Sequence, residues 1–137
     1  MNRSDLQKLA EIRVQDSEVL LGACRWAGAY YLAGYAVECA LKACIAKQVK
    51  EFDFPDRKIV TDSHVHDLTK LLRLSGVGYL HEEELNKNAA FNDFWAVVKD
   101  WNETSRYVDT PEKTAQDMVK AVKDPKNGVL TWVKNHW

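Results

Sequence analysis

The chain has 137 residues, a formal net charge of −1 and 46 % apolar residues. That length makes one domain, spanning 1–137, able to bury roughly two thirds of its unfolded surface. The near-neutral charge excludes a field over the whole surface that would attract nucleic acid or an anionic membrane, and leaves only a local basic patch.

The elements follow in chain order. Ser4 is a plausible N-cap for a first helix running to about Cys24, with Leu6, Leu9, Ile12, Val19 and Leu20 near one face. A second helix is expected from about Trp26 to Val49, almost wholly apolar or small. The stretch KEFDFPDRKIVTDS then breaks the pattern, with Pro55 and the acids Glu51, Asp53, Asp56 and Asp62 marking a polar loop. HVHDLTKLLRLSG reads as a short third helix ending at Gly76. A long fourth helix is expected over EEELNKNAAFNDFWAVVKDWNETSRY, with Leu85, Phe91, Trp95, Val98 and Trp101 as its core stripe. Thr110 caps a fifth helix with Pro111 in its first turn, and Asp124-Pro125 stops or kinks it. A last short helix turns Val129, Trp132 and Val133 inward. No alternating apolar run marks a strand, KIV being too short, and no repeat or low-complexity segment occurs. The expected fold is all-α: an up-and-down bundle of four main helices with one or two short extra helices.

Cys24, Cys39 and Cys44 are an odd number without a CxxC pair, which points to a reducing compartment and away from zinc. Cys39 and Cys44 stand about 140° apart around a helix and cannot pair, so buried free thiols are expected. The N-terminus is charged and has no apolar h-region. The longest apolar stretch is interrupted by Glu38 and Lys42, which argues against a membrane span and for a cytoplasmic protein.

The familiar chemical motifs are missing. GVGYL lacks the strand, the third glycine and the helix of a dinucleotide site. His64 and His66 diverge by about 200° on a helix and share an ion only if the segment is extended. No metal or cofactor is therefore expected.

The second helix carries one polar stripe. Tyr31, Tyr35, Glu38 and Lys42 fall at i, i+4, i+7 and i+11, which aligns them on one face. If the stripe faces water, the Glu38–Lys42 pair contributes only ~0–1 kcal/mol. If it forms a partly buried seam, the carboxylate must find a cation, because an unpaired buried charge costs several kcal/mol. Arg106, next to Tyr107, is the expected partner of Glu38; its other role is a cation at the end of the fourth helix.

Three blocks in this order carry a resemblance. They are AGYAVECALKACIA with its Glu-to-Lys step, HVHDLTKLL with His66, Leu68, Leu71 and Leu72, and SRYVD with Arg106 and Tyr107. Over nearly its whole length the chain resembles the HEPN family (higher eukaryotes and prokaryotes nucleotide-binding). The resemblance implies a helical bundle that forms a homodimer. It implies either a module that binds a nucleotide or RNA, or pairs with a nucleotidyltransferase-type antitoxin partner, or a metal-independent endoribonuclease of toxin or defence type. Such ribonucleases carry an Arg, a polar residue, four to six further residues and a His at a dimer cleft. There Arg stabilises charge on the phosphate and His acts as general acid or base. After Arg106 this chain reads YVDTPEKT, with no His in reach; Arg57 and His64 have the spacing but lie in the polar loop. A binding module is therefore the first expectation. His66 and Arg106 are the candidates for a catalytic pair, and Tyr31, Tyr35, Glu38, Lys42 and Tyr107 are the candidates for a ligand-binding seam.

Overall fold

The computed structural model describes residues 1–49, 54 and 57–137, the side chains of residues 57, 59 and 60 apart. Glu51, Asp53, Pro55 and Asp56 of the expected polar loop lie outside the described residues, as does the side chain of Arg57. The described chain is all-α, with no strand among the described residues.

Two long helices form the frame: α1 (Arg3–Gly22) and α2 (Trp26–Lys47). They form a hairpin closed by Cys24, which adopts the left-handed conformation at φ 60°. The N-cap of α1 is Asn2, two residues before the expected Ser4. Asn2 accepts from the Asp5 amide, and Asp5 accepts from the Asn2 amide. The face of α1 also differs from the expected one. Ala10, Val14 and Ser17 are buried, while Ile12 and Val19 are exposed. The physical reason is closeness: α2 presents Ala29, Ala33, Ala36 and Ala40, and small residues on both helices let the axes approach where larger ones cannot.

α2 is the central helix, touching α1 and most of the later elements. This explains its all-round apolar character. Gly34 has no room for a side chain, because the indole of Trp101 lies directly on it.

Short helices wrap this frame. α3 (Arg57–Asp62) occupies part of the segment read as loop. α4 (Leu68–Leu74) starts later than expected, because Asp67 caps it by accepting from the Lys70 amide. His64, Val65 and His66 therefore precede the helix.

The expected long fourth helix is broken into α5 (Gly78–Lys87), α6 (Ala89–Val98) and a 3-10 segment (Glu103–Tyr107). Asn88 makes the first break. Its backbone is extended, its side-chain oxygen caps α6 at the Phe91 amide, and its amide nitrogen donates to Glu84 and Asn127. Asn102 makes the second break by capping the 3-10 segment at Thr104. Asn competes for backbone groups in this way wherever a neighbour completes its side chain. The expected stripe survives the breaks: Phe91, Trp95, Val98 and Trp101 are buried and Leu85 partly so.

α7 (Glu112–Lys123) begins with Pro111 itself as N-cap, one residue after the expected Thr110, and ends at Asp124. α8 (Val129–Lys134) closes the bundle with Val129 and Val133 buried and Trp132 partly buried. No helix among the described residues is long and apolar enough to cross a membrane.

Candidate functional site

The polar stripe on α2 is a seam that runs from the interior to the surface. Glu38 is only 2 % exposed, Lys42 is 22 % exposed and His66 is 41 % exposed. Lys42 Nζ donates to Glu38 Oε1 at 3.0 Å, and His66 Nδ1 stands 2.9 Å from the same oxygen. The second oxygen, Oε2, is buried without a hydrogen-bond partner.

Local structure delivers His66 to this point. The residues before α4 are not helical, so the imidazole is free to turn toward α2, while Leu68, Leu71 and Leu72 anchor the helix behind it in the core. Burying each such side chain contributes about 1.5–3 kcal/mol. On its other side His66 Nε2 lies 3.1 Å from Glu103 Oε2. Both ring nitrogens thus face carboxylates, and only a doubly protonated imidazole donates to both.

The expected contact between Arg106 and Glu38 is not made. Among the described residues, the basic side chains within ion-pair distance of Glu38 are those of Lys42 and His66. Arg106 is exposed because the break after α6 places it on the 3-10 segment, not at the end of a long helix. Its guanidinium lies over the ring of Tyr107, 4.8 Å from the centroid. Tyr107, and after it Tyr31, raise its pKa.

Tyr31 links the two halves of the site. Its ring stacks on Tyr35 at 6.1 Å with an interplanar angle of 11°, and packs against Trp101 at 5.8 Å. The Tyr35 phenol is pushed up by burial, then by Cys39 and Glu38, so its hydroxyl stays a donor. The sequence-expected residues therefore fall into two neighbouring groups. Glu38, Lys42 and His66 form one, and Tyr31, Arg106 and Tyr107 form the other, with Tyr35 stacked on Tyr31 beside Glu38.

Glu103 is the member that sequence reasoning missed. Nothing in NETSRY distinguishes it from a solvated acid capped by Asn102; only the position of the 3-10 segment opposite His66 gives it a role. Among the described residues no group of three or more His, Cys, Asp and Glu is placed to hold a metal ion.

The cysteines also divide. Cys39 and Cys44 are buried free thiols, both pushed up to about 11 by burial. Cys24 is exposed, against expectation, because it forms the left-handed turn between α1 and α2.

A family model described as the HEPN domain matches residues 4–136. No curated protein matches the chain, and no solved structure does.

Proposed function

The chain belongs to the HEPN domain family, and on that premise we propose that it is a non-catalytic binding module for a nucleotide or RNA, acting as a homodimer or beside a nucleotidyltransferase-type partner. One observation carries the reading. His66 is held at both ring nitrogens by Glu38 and Glu103, while Arg106 is exposed and lies over the ring of Tyr107.

Phosphodiester cleavage by an Arg and a His needs both groups at one phosphate. Two carboxylates at His66 repel a phosphate and occupy the nitrogens that would move the proton. Arg106 faces no such obstacle. It keeps donors for a phosphate, in a fork geometry that suits one. Tyr107, 76 % exposed, carries the guanidinium over its ring and keeps it at the surface.

The test is a titration with mononucleotides and short single-stranded RNA, beside incubation with tRNA and total RNA in EDTA. Binding is expected to weaken roughly tenfold in Arg106→Ala, the loss of a charge-assisted contact, and the RNA is expected to remain intact. Light scattering on a sizing column reads the homodimer; a strict monomer at high concentration counts against it.

The second reading is a metal-independent endoribonuclease. It draws on one feature: Glu103 sits on the same 3-10 segment as Arg106, so a shift of that segment frees His66 Nε2 and moves Arg106 together. Cleavage that survives chelation and disappears in both His66→Ala and Arg106→Ala would establish it.

A further inference from the structure

Glu38 and Lys42 also line a cleft of about 390 Å³ against α1, mostly apolar, with Leu6, Leu9, Ile45 and Ala46 among its walls. Glu38 is 98 % buried (2 % exposed) and its Oε2 has no partner. A buried acceptor left without a donor costs on the order of 1–3 kcal/mol, so the site is poised to gain from a ligand that supplies one.

Lys42 stands beside it. Its ammonium has three hydrogens and gives one to Glu38 Oε1, and Lys42 itself lines the cleft, so its ammonium has further donors to offer there. A vacant acceptor next to an available donor, set in an apolar wall, matches a flat ring whose edge carries an N–H beside an acceptor. A nucleobase has that edge, and its faces suit the apolar walls. The pair also limits charge: Lys42 balances Glu38, so a neutral group fits better than an ammonium or a free phosphate.

We propose that this cleft takes the base of a nucleoside, with Glu38 Oε2 accepting from the base N–H and Lys42 donating to the neighbouring acceptor. Oε2 is sealed from water, and a rotation of Lys42, the partly exposed member of the pair, admits the base edge. Tyr35 lines the cleft and stacks on Tyr31, which joins it to Arg106. The inference rests on the nucleotide-binding reading and assigns base recognition to a place distinct from the phosphate contact.

The experiment is calorimetric titration of the full chain with uridine, guanosine and ribose 5-phosphate. The proteins are wild type, Arg106→Ala, Lys42→Met and Ala46→Phe. Ala46 is partly exposed and lines the cleft, so a phenyl ring there occupies it from about two helical turns beyond Glu38. Unfolding midpoints confirm that each variant is folded. Nucleosides are expected to bind wild type and Arg106→Ala alike, and to bind Lys42→Met and Ala46→Phe roughly tenfold more weakly or not at all. Ribose 5-phosphate is expected to show the reverse dependence. Nucleosides that fail to bind wild type, or that bind Ala46→Phe as well as wild type, overturn the cleft. Ribose 5-phosphate that fails to bind, or binds without regard to Arg106, overturns the phosphate contact instead, so the two failures are read separately.

Discussion

Glu38 Oε1 lies 2.9 Å from Nδ1 of His66 and accepts from Lys42 Nζ at 3.0 Å, so one buried oxygen gathers an ammonium and an imidazole. Both partners reach water, Lys42 at 22 % and His66 at 41 % exposure. Removing the carboxylate therefore strands neither of them in the interior, and the cost falls below the ~3–5 kcal/mol of a fully buried pair. Glu38→Ala is expected to lose about 2–3 kcal/mol in urea unfolding, mostly from the cavity it leaves. Glu38→Met, similar in volume, is expected to lose less. Equal losses would show that charge, and not packing, holds the seam.

Gly34 packs directly under the indole of Trp101. A Cβ on Gly34 would stand 2.3 Å from two atoms of the indole. Trp101 is 2 % exposed and cannot retreat freely. Gly34→Ala is expected to cost about 1–3 kcal/mol by overpacking, even though alanine is the better helix former. Adding Trp101→Leu should cancel part of the Gly34→Ala penalty in a double-mutant cycle; strict additivity would show that the contact is not the cause.

His81 is buried against the rings of Phe91, Trp95 and Trp132, and its Nε2 has no hydrogen-bond partner. Burial lowers its pKa to about 4, below the unfolded value of about 6.5. As pH falls the unfolded chain takes the proton first. The contribution of His81 is full above about pH 6.5 and is lost as pH drops through that window toward 4, with a slope of up to about 1.4 kcal/mol per pH unit. Burial also lowers His136, which acts in the same direction. The difference in slope between wild type and His81→Phe isolates His81, and an unchanged slope would refute its role.

The thiols separate by burial. Cys24 is exposed, whereas Cys39 and Cys44 are buried and pushed up to about 11. A disulfide reagent at neutral pH is expected to modify one thiol rapidly in the native protein, and all three only after unfolding. Cys24→Ser should abolish the fast phase. Fast reaction of Cys39 would show that the cleft beside Glu38 opens far enough to admit the reagent.

Much of the bundle was legible locally. Phe91, Trp95, Val98 and Trp101 announce a core stripe by their spacing, and they remain buried although their helix is broken twice. The small-residue run of α2 marks it as the central helix for the same reason: a helix apolar all round is surrounded. The stripe of α1 misled because apolar content does not say how close a neighbour comes. Ala10, Val14 and Ser17 are the buried residues of α1, which packs chiefly on α2, and Ala10 and Ser17 suit a close contact by size, not by hydropathy. The breaks at Asn88 and Asn102 were hidden because asparagine caps a helix only when its surroundings complete it. For Asn88 those surroundings include Asn127, 39 residues away.

Local physics therefore decided the helices, the absence of strands among the described residues, the central place of α2 and the polar line Tyr31–Tyr35–Glu38–Lys42, because periods of 3.6 and side-chain size act within a few turns of chain. Tertiary structure alone decided that His66 joins Lys42 at Glu38, that Glu103 closes the other side of His66, and that Arg106 is exposed over Tyr107. Those pairings depend on where distant segments end in space. Electrostatics rewards any nearby opposite charge, so the sequence pointed to Arg106 as the partner of Glu38, and it is the fold that brought His66 within 2.9 Å instead.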